Sequence, residues 1–343
     1  MTSLPFLSAD VAARWAQFWA GGPQSRPLLL FCVRKPGRDV DWVDYPVRPD
    51  RPIDRTIAQL RRWNEDHDYL GDAVPSFTME FGPEHFAALL GAELRFQSYS
   101  GWIVPCIDDW HRAPIRFQRD GYYWQQTINF LQQLRSACGE QLVINAPVLS
   151  AGLDALSAMR GSEKLLLDLL DDPETVQHAL VDIRQAYHEV VEALAEELSW
   201  ESCGSSNWLG LYHPRRTNVI QSDISCMLSG EQFRQFEMEN LRQQASHYDA
   251  VAYHLDGPGA VHHIGDICAV PGISVIQYVP VPSESPDQIE KVYQQIEARG
   301  MAVFRAGDPA TIRRIWDASM TKRLIAQVWC ASREEAEACY ASF

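Results

Sequence analysis

The chain alternates short apolar runs with longer stretches of helical periodicity. The run at residues 27–33 is continuous and apolar, which is typical of a strand buried on both faces. Residues 54–66 follow the helical period, and Asp172-Pro173-Glu174 begins a longer helix that we expect to end near residue 198. Strand and helix therefore alternate, as in α/β proteins.

The alternation is most regular after residue 200. Predicted strands end at Asp223, Asp256, Tyr278, Arg305 and Cys330, and helices begin near Gly230, Ala260, Pro286, Asp308 and Ser332. Such a run of strand–helix units predicts parallel strands joined by right-handed crossovers. We therefore predict a TIM-like (β/α)8 barrel that forms a single domain over residues 1–343.

Two segments lie outside this alternation. Residues 1–26 contain a predicted amphipathic helix that extends the barrel at its N-terminus, and residues 93–125 interrupt the pattern as an inserted hairpin region. Aromatic residues concentrate in this insertion and in a later loop: Trp102, Trp110, Tyr122, Tyr123, Trp124, Trp208 and Tyr212. We interpret them as a lid over the barrel mouth. They could hold a flat substrate, or they could pack as a hydrophobic core of the lid itself.

The composition of the chain limits the kinds of partner that it could bind. Thirty Lys and Arg residues against 45 Asp and Glu give a formal net charge of −15, which disfavours a nucleic-acid partner. The eight cysteines form no CxxC pair, so we expect reduced thiols and a cytoplasmic protein without disulfides. No apolar run approaches the roughly 18 residues that would cross a membrane. A homodimer is kept as an alternative to a monomer.

The strongest candidates for chemistry are His254 and Asp256. They flank Leu255 at the end of an apolar run, immediately before Gly257 and Pro258. Side chains two positions apart in a strand point to the same side, so both can reach one metal ion or ligand at the strand mouth. The alternative is a hydrogen-bonded core histidine followed by a helix-capping aspartate.

Cys330 ends the last predicted strand, and closing the barrel would bring it to the same cavity as His254. A His/Asp/Cys set could hold Zn²⁺ and leave a fourth position for substrate. Alternatively, Cys330 is a small buried apolar residue.

Further polar residues end other predicted strands. Gln221 and Asp223 form a same-face pair, and Gln277 ends the strand after that of His254. We expect Gln221 and Gln277 to orient the substrate, while Asp223 is a catalytic residue, a further ligand or a helix cap. Glu80 is a candidate acid or base, with a surface position as the alternative. Trp208 and Tyr212 are expected at the substrate.

Several well-known motifs are missing from the sequence. It has no glycine-rich phosphate loop, no Gly-x-Ser-x-Gly elbow and no His-Glu-x-x-His helix. ATP-dependent, nicotinamide-dependent and serine-hydrolase chemistry are therefore disfavoured.

Three stretches resemble the uroporphyrinogen decarboxylase superfamily, which also contains corrinoid-dependent methyltransferases: residues 221–233, 253–260 and 273–280. Asp171-Asp172-Pro173-Glu174 matches as well, and the resemblance covers most of residues 145–343. It implies the barrel fold. It also implies a metal-assisted methyltransferase or demethylase that moves a methyl group between a small substrate and a corrinoid (cobalamin), free or on a partner protein.

In the zinc-dependent methyltransferases of this superfamily, a His-x-Cys pair and a later Cys hold the metal. The corresponding residues here are His254, Asp256 and Cys330, so an aspartate replaces the first cysteine. A harder oxygen ligand would leave Zn²⁺ more Lewis-acidic and better suited to an ether than to a thiol.

The decarboxylase branch is recognised by an N-terminal Arg-Gln-Ala-Gly-Arg segment that binds propionate groups. Arg34-Lys35-Pro36-Gly37-Arg38 retains only the two arginines and the glycine, so porphyrinogen decarboxylation is disfavoured. Two alternatives remain to the methyltransferase. One is a metal-independent lyase or decarboxylase in which Arg34 or Arg38 binds a carboxylate, and the other is a non-catalytic barrel that binds a ligand.

Overall fold

A computed structural model describes residues 4, 6–38, 43–97, 99–110 and 115–343. Residues 1–3 and 5 of the expected N-terminal extension therefore lie outside the described residues, as do residue 98 and residues 111–114 of the expected insertion. Residues 39–42 of the loop after the first strand are also outside them.

Strands and helices alternate along most of the chain. The strands are β1 Leu28–Arg34, β2 His67–Gly71, β3 Ser76–Thr78, β4 Leu94–Phe96, β5 Gly101–Ile103, β6 Val143–Asn145, β7 Ser205–Ser206, β8 Tyr212–His213, β9 Thr217–Gln221, β10 Ala250–Asp256, β11 Ile273–Val279, β12 Ala302–Gly307 and β13 Leu324–Val328. The α-helices are α1 Ala9–Trp19, α2 Asp54–Asp66, α3 His85–Leu89, α4 Tyr122–Cys138, α5 Gly152–Arg160, α6 Ser162–Asp171, α7 Pro173–Glu197, α8 Trp200–Cys203, α9 Gly230–Gln232, α10 Met238–Ser246, α11 Ile264–Cys268, α12 Pro286–Glu297, α13 Pro309–Ala318 and α14 Arg333–Ser342. Single turns of 3₁₀-helix cover Asp223–Met227 and Pro258–His263, and a π-helical turn covers Phe233–Glu237.

The central sheet has seven strands in the order β2-β1-β13-β12-β11-β10-β9. All neighbours are parallel except β1 and β2. This confirms a mixed α/β fold with a largely parallel central sheet, whose strand order from β9 to β13 follows the chain.

The described residues do not form the predicted closed barrel, because their strands make no closed ring of hydrogen-bonded neighbours. The antiparallel strand β2 occupies the free edge of β1, and β3 pairs only with β6 in a separate sheet. Between β6 and β9 lies the short strand β7, which contacts both. The ladder is therefore interrupted in the first half of the chain, while its second half matches the predicted βα units.

The two faces of the central sheet pack against different groups of residues. Alternate side chains of β1 separate in this way: Leu28 and Leu30 join an inner cluster, and Leu29 and Phe31 join an outer one. The inner cluster also takes residues from β9, β10, β11, β12 and β13, so the sheet curves around a shared interior. The outer cluster contains the helices that cover the sheet.

Helix α1 covers one end of this interior. Its Trp15 and Phe18 belong to the inner cluster together with Leu28, the first residue of β1. The Trp15 indole donates to the backbone oxygen of Asp72 at 2.9 Å, and the Asp72 carboxylate accepts from the backbone nitrogen of Leu29 at 2.9 Å. The N-terminal ends of the strands are thereby covered, which leaves the opposite, C-terminal ends for a site.

In the insertion, β4 and β5 form an antiparallel hairpin. The hairpin contacts α5 and lies beside Gly82, where Gly101 approaches the Phe81 carbonyl closely. Among the described residues, no helix is both long enough and apolar enough to cross a membrane.

Candidate metal centre and adjoining cavities

Three side chains meet at the C-terminal ends of β9 and β10. Asp223, His254 and Asp256 each offer one ligand atom, and these atoms all lie within 4.8 Å of one another. His254 is half-buried, and the two carboxylates are exposed. The sequence predicted that His254 and Asp256 face one ligand and offered Asp223 as a further ligand, and the structure brings these three side chains together.

Strand register explains why these residues meet. His254 lies opposite Gln221 on β9 and opposite Gln277 on β11. Asp256 follows His254 on the same face of β10, and Asp223 begins the 3₁₀ turn that follows β9 after one intervening residue. Two neighbouring strand ends therefore deliver an imidazole and two carboxylates to one point.

Gln277 determines which nitrogen of His254 faces that point. The His254 Nδ1 atom lies 2.7 Å from the Gln277 Oε1 atom, so Nδ1 carries the proton and donates it. In the neutral imidazole, this tautomer leaves the Nε2 lone pair free to bind a metal. The Trp208 indole packs edge-on against the imidazole, with ring centroids 5.1 Å apart. Both contacts fix the orientation of the histidine ring.

Asp223 is held by its own neighbours. Its Oδ2 atom accepts from the Gln221 amide at 2.8 Å, so Gln221 orients a site residue. The backbone nitrogens of Asp223 and Ile224 both donate to the Asp154 carboxylate at 2.9 Å. Burial raises the pKa of Asp223; Asp256 adds to the rise, and His254 opposes it.

Behind this site lie two further carboxyl groups that the sequence reasoning missed. Burial and the nearby Asp223 raise the pKa of Asp154 to about 7, and burial and Asp154 raise the pKa of Glu237 to about 8. Glu237 is fully buried and accepts from the backbone nitrogen of Leu153 at 3.1 Å. The sequence did hold a signal for Glu237, which lies between Phe236 and Met238 on a buried helix face that also contains Asn240. A carboxyl group on a buried face needs a hydrogen-bond partner or a proton.

Cys330 is not part of the cluster. It packs with the outer group of residues beyond Val328, on the helix side of the sheet. Burial, with smaller contributions from Glu335 and Cys339, raises the pKa of its thiol to about 11. The structure therefore does not bring Cys330 to His254 and Asp256, because alternation along β13 places it on the helix side with Val328.

Two other predicted residues lie away from this cluster. Glu80 is buried and accepts from the backbone nitrogen of Val148 at 3.2 Å, so it joins two loops. Tyr212 is buried beside α1, where its backbone oxygen accepts from the Trp19 indole at 2.7 Å. The structure therefore gives both residues packing positions and does not bring either to the His254 cluster.

The two predicted arginines differ from each other. Arg38 lies beyond β1 and pairs with Asp66 at 3.3 Å, with 61% of its side chain exposed. Arg34 ends β1 on the same face as Leu30 and Cys32, and it is exposed.

Two cavities flank the cluster. One, of about 350 Å³, is lined by Gln277 and Trp208 together with residues of β1, β12 and β13. The other, of about 310 Å³, is lined by Asp223, Asp154 and Glu84. Gln277 and Trp208, which both contact His254, line the cavity of about 350 Å³, so a ligand in that cavity would lie next to the cluster.

The cluster has the donor chemistry of a zinc site. One imidazole and two carboxylates supply three ligands, and catalytic zinc sites keep the fourth position open. Among the described residues, neither Asp223 nor Asp256 forms an ion pair with Lys or Arg, so a bound cation would compensate their mutual repulsion. A second group with similar spacing, His188, Glu192 and His247, is less suitable because Arg216 contacts both oxygens of Glu192, at 2.7 and 3.2 Å.

No family model matches the chain, and no curated protein matches it. Among solved structures, a methyltransferase from Methanosarcina mazei superposes with a TM-score of 0.56 and 12% sequence identity, over 78% of this chain and 80% of that chain. This likeness is one of fold, and it agrees with the fold implied by the resemblance to the uroporphyrinogen decarboxylase superfamily.

Two more solved structures overlap with the chain at lower scores. A mandelate racemase/muconate lactonizing enzyme from Sulfitobacter sp. has a TM-score of 0.36 and 9% identity, over 94% of this chain and 58% of that chain. An HpcH/Hpal aldolase/citrate lyase family protein from Burkholderia cenocepacia J2315 has a TM-score of 0.27 and 14% identity, over 79% and 91%. These scores are too low to add to the comparison.

Proposed function

We propose that the protein is a metal-assisted methyltransferase that removes a methyl group from a small methylated compound. The observation that carries this proposal is the meeting of Asp223, His254 and Asp256 within 4.8 Å beside a cavity of about 350 Å³. The fold shared with a methyltransferase supports it. A site with three ligands and an adjoining cavity has room for both a metal ion and a substrate.

Each residue of the site has a distinct role in this proposal. Asp223, His254 and Asp256 would hold Zn²⁺, which would polarise the substrate heteroatom that bears the methyl group. Gln277 orients His254, and Gln221 orients Asp223. Because two of the three ligands are carboxylate oxygens, the metal would favour an oxygen donor such as an ether over a thiolate.

A corrinoid would act as the acceptor, because its reduced cobalt supplies the electron pair that takes up a methyl group. The two cavities beside the cluster measure about 350 and 310 Å³, which is too small for a corrin macrocycle. In this proposal the corrinoid is therefore a co-substrate that reaches the site from the strand mouth, free or on a partner protein.

Metal analysis of four variants tests the proposal. We expect one zinc ion per wild-type chain, and its loss in the variants His254→Ala, Asp223→Asn and Asp256→Asn. Cys330→Ser is the matched control, because Cys330 packs on the other face of the sheet and should leave the metal content unchanged. Methyl transfer to cob(I)alamin from candidate methyl ethers should follow the metal content.

Two outcomes would contradict the proposal. If zinc remained in all three ligand variants, the cluster would not be the metal site. If methyl transfer or another turnover survived complete removal of the metal, a metal-independent lyase would explain the site better, with Asp154 beside Asp223 as its acid.

A further inference from the structure

The 350 Å³ cavity beside His254 has no charged residue in its wall. Its lining residues include the aromatic residues Tyr69, Trp208 and Phe304, small residues such as Ala306, and the amide residues Gln277 and Gln327. An engineered cavity of about 150 Å³ in another protein holds one benzene molecule, so this cavity has room for one substituted ring. Its chemistry suits an uncharged aromatic body whose polar substituents meet amide groups.

This cavity extends from the metal cluster to the far side of the curved sheet. Gln277 on β11 and Trp208 both contact His254, whereas Leu30 and Cys32 of β1 form another part of the wall. In the sheet, β1 is separated from β10 by three strands, β13, β12 and β11. A ligand that fills the cavity therefore has one end near the cluster and the other end near β1.

Arg34 stands beyond the β1 end of this cavity. It follows Cys32 by two residues on the same face of the strand, a rise of about 7 Å. Within the part of the chain that the structure describes, Arg34 forms no ion pair or side-chain hydrogen bond, whereas Lys35 pairs with Asp68 and Arg38 with Asp66. An unpaired guanidinium at the rim of an uncharged cavity is suited to the carboxylate of a ligand.

We infer that the substrate is a single-ring aromatic methyl ether that carries a carboxylate at the end away from the methoxy group. The ring fills the cavity, the methoxy group faces His254, and the carboxylate binds Arg34. This inference rests on the proposed function for the identity of the reacting group, while the binding of the ring and the carboxylate depends only on the cavity and Arg34.

Calorimetric binding of two probes to the metal-free protein tests this inference. The probes are 4-methoxybenzoate, which has the carboxylate, and 4-methoxyphenol, which lacks it. Both should bind the wild-type chain. Arg34→Gln should weaken 4-methoxybenzoate about ten- to a hundredfold, the usual effect of losing a charge-assisted hydrogen bond, and should leave 4-methoxyphenol unchanged. Arg34→Lys should restore part of the affinity for 4-methoxybenzoate, because it keeps the charge.

Two further variants make the test decisive. Arg38→Gln is the matched control, since Arg38 is paired with Asp66 and should not affect either probe. Ala306→Phe fills the cavity and should abolish the binding of both probes, with circular dichroism used to verify that it folds. Equal effects of Arg34→Gln on both probes, or wild-type binding by Ala306→Phe, would overturn the inference.

Removing the metal separates failure of this inference from failure of the proposed function. Without zinc, the carboxylate of the probe cannot bind at the His254 cluster, so any binding reports on the cavity and Arg34. If the wild-type chain held zinc and transferred methyl groups but bound neither aromatic probe, the substrate inference alone would be wrong. If the probes bound but the chain held no metal, the proposed function would be wrong while the binding site stood.

Discussion

At the scale of single residues, the site depends on side chains that fix the orientation of others. His254 can present Nε2 to a metal because Nδ1 is engaged by Gln277 at 2.7 Å. A residue that accepts a hydrogen bond from the other ring nitrogen fixes the tautomer and the ring orientation of a metal-binding histidine. Gln277 is therefore a positioning residue, and its loss should be visible in metal affinity before any activity is measured.

We predict that Gln277→Leu weakens zinc binding about ten- to a hundredfold. Without the Gln277 hydrogen bond, the His254 ring is free to rotate, and zinc binding must then fix its orientation. Competition with a zinc-binding dye measures the change. Gln294→Leu, an exposed position on α12, is the control and should keep wild-type affinity. Equal affinity in Gln277→Leu and wild type would show that Gln277 does not position the ligand.

Among the residues singled out in the sequence, direction follows from local alternation only inside a strand. His254 and Asp256 share a face because one residue separates them within β10. Cys330 lies two residues beyond the end of β13, and it packs on the helix side with Leu324, Ala326 and Val328, whereas Ile325 faces the interior. Glu80 and Tyr212 are polar residues near strand ends, yet backbone groups and α1 occupy their surroundings. Strand ends are the places where sequence pattern fixes direction least.

At the scale of elements, helix starts that the sequence indicated are matched by the structure. Helix α2 spans Asp54–Asp66 as expected, and Asp172 caps α7 with Pro173 in its first turn. The π-helical turn at Phe233–Glu237 was not expected, since the apolar period there is that of an ordinary helix. It places Glu237 against Leu153 at the start of α5, beside Asp154. Such a widened turn is frequent at functional sites.

Helix α12 offers a test of one such cap. Ser285, the N-cap, and Gln288, the third residue of the helix, form a capping box with Pro286 between them, and the helix follows the strand that carries Gln277. We predict that Ser285→Ala lowers the free energy of unfolding by about 1 kcal/mol, because a backbone donor of the first turn loses its acceptor. Urea denaturation measures this difference. Ser283→Ala, exposed in the preceding loop, should have almost no effect; if both variants lost the same stability, the cap would not be the cause.

At the scale of the whole molecule, buried carboxyl groups near the site couple stability to pH. The folded chain raises the pKa of Glu237 to about 8 from the ordinary value of 4.5, mainly by burial. The folded state therefore keeps this proton over a pH range in which the unfolded chain releases it. The resulting stabilisation is complete below about pH 4.5 and is lost as the pH rises to about 8.

We predict that Glu237→Gln flattens the fall in unfolding free energy between pH 5 and pH 8, because glutamine has no proton to release. Some slope should remain, since the pKa of Asp154 is also raised, to about 7. Urea denaturation at both pH values measures the slope. Glu239→Gln, at an exposed position on α10 just after the π-helical turn, should keep the wild-type slope. An unchanged slope in Glu237→Gln would show that the proton on Glu237 does not cause the pH dependence.

The sequence by itself determined the strand–helix alternation of the second half, the helix caps and the shared face of His254 and Asp256. These features depend on neighbours within one turn or one strand, so short-range pattern is sufficient for them. Tertiary structure decided that the sheet has an antiparallel edge at β2, that Asp223 joins His254, and that Cys330 faces the helices. It also placed Asp154 and Glu237 behind the site. Those outcomes depend on strand register and on packing between residues far apart in the chain, which no local period encodes.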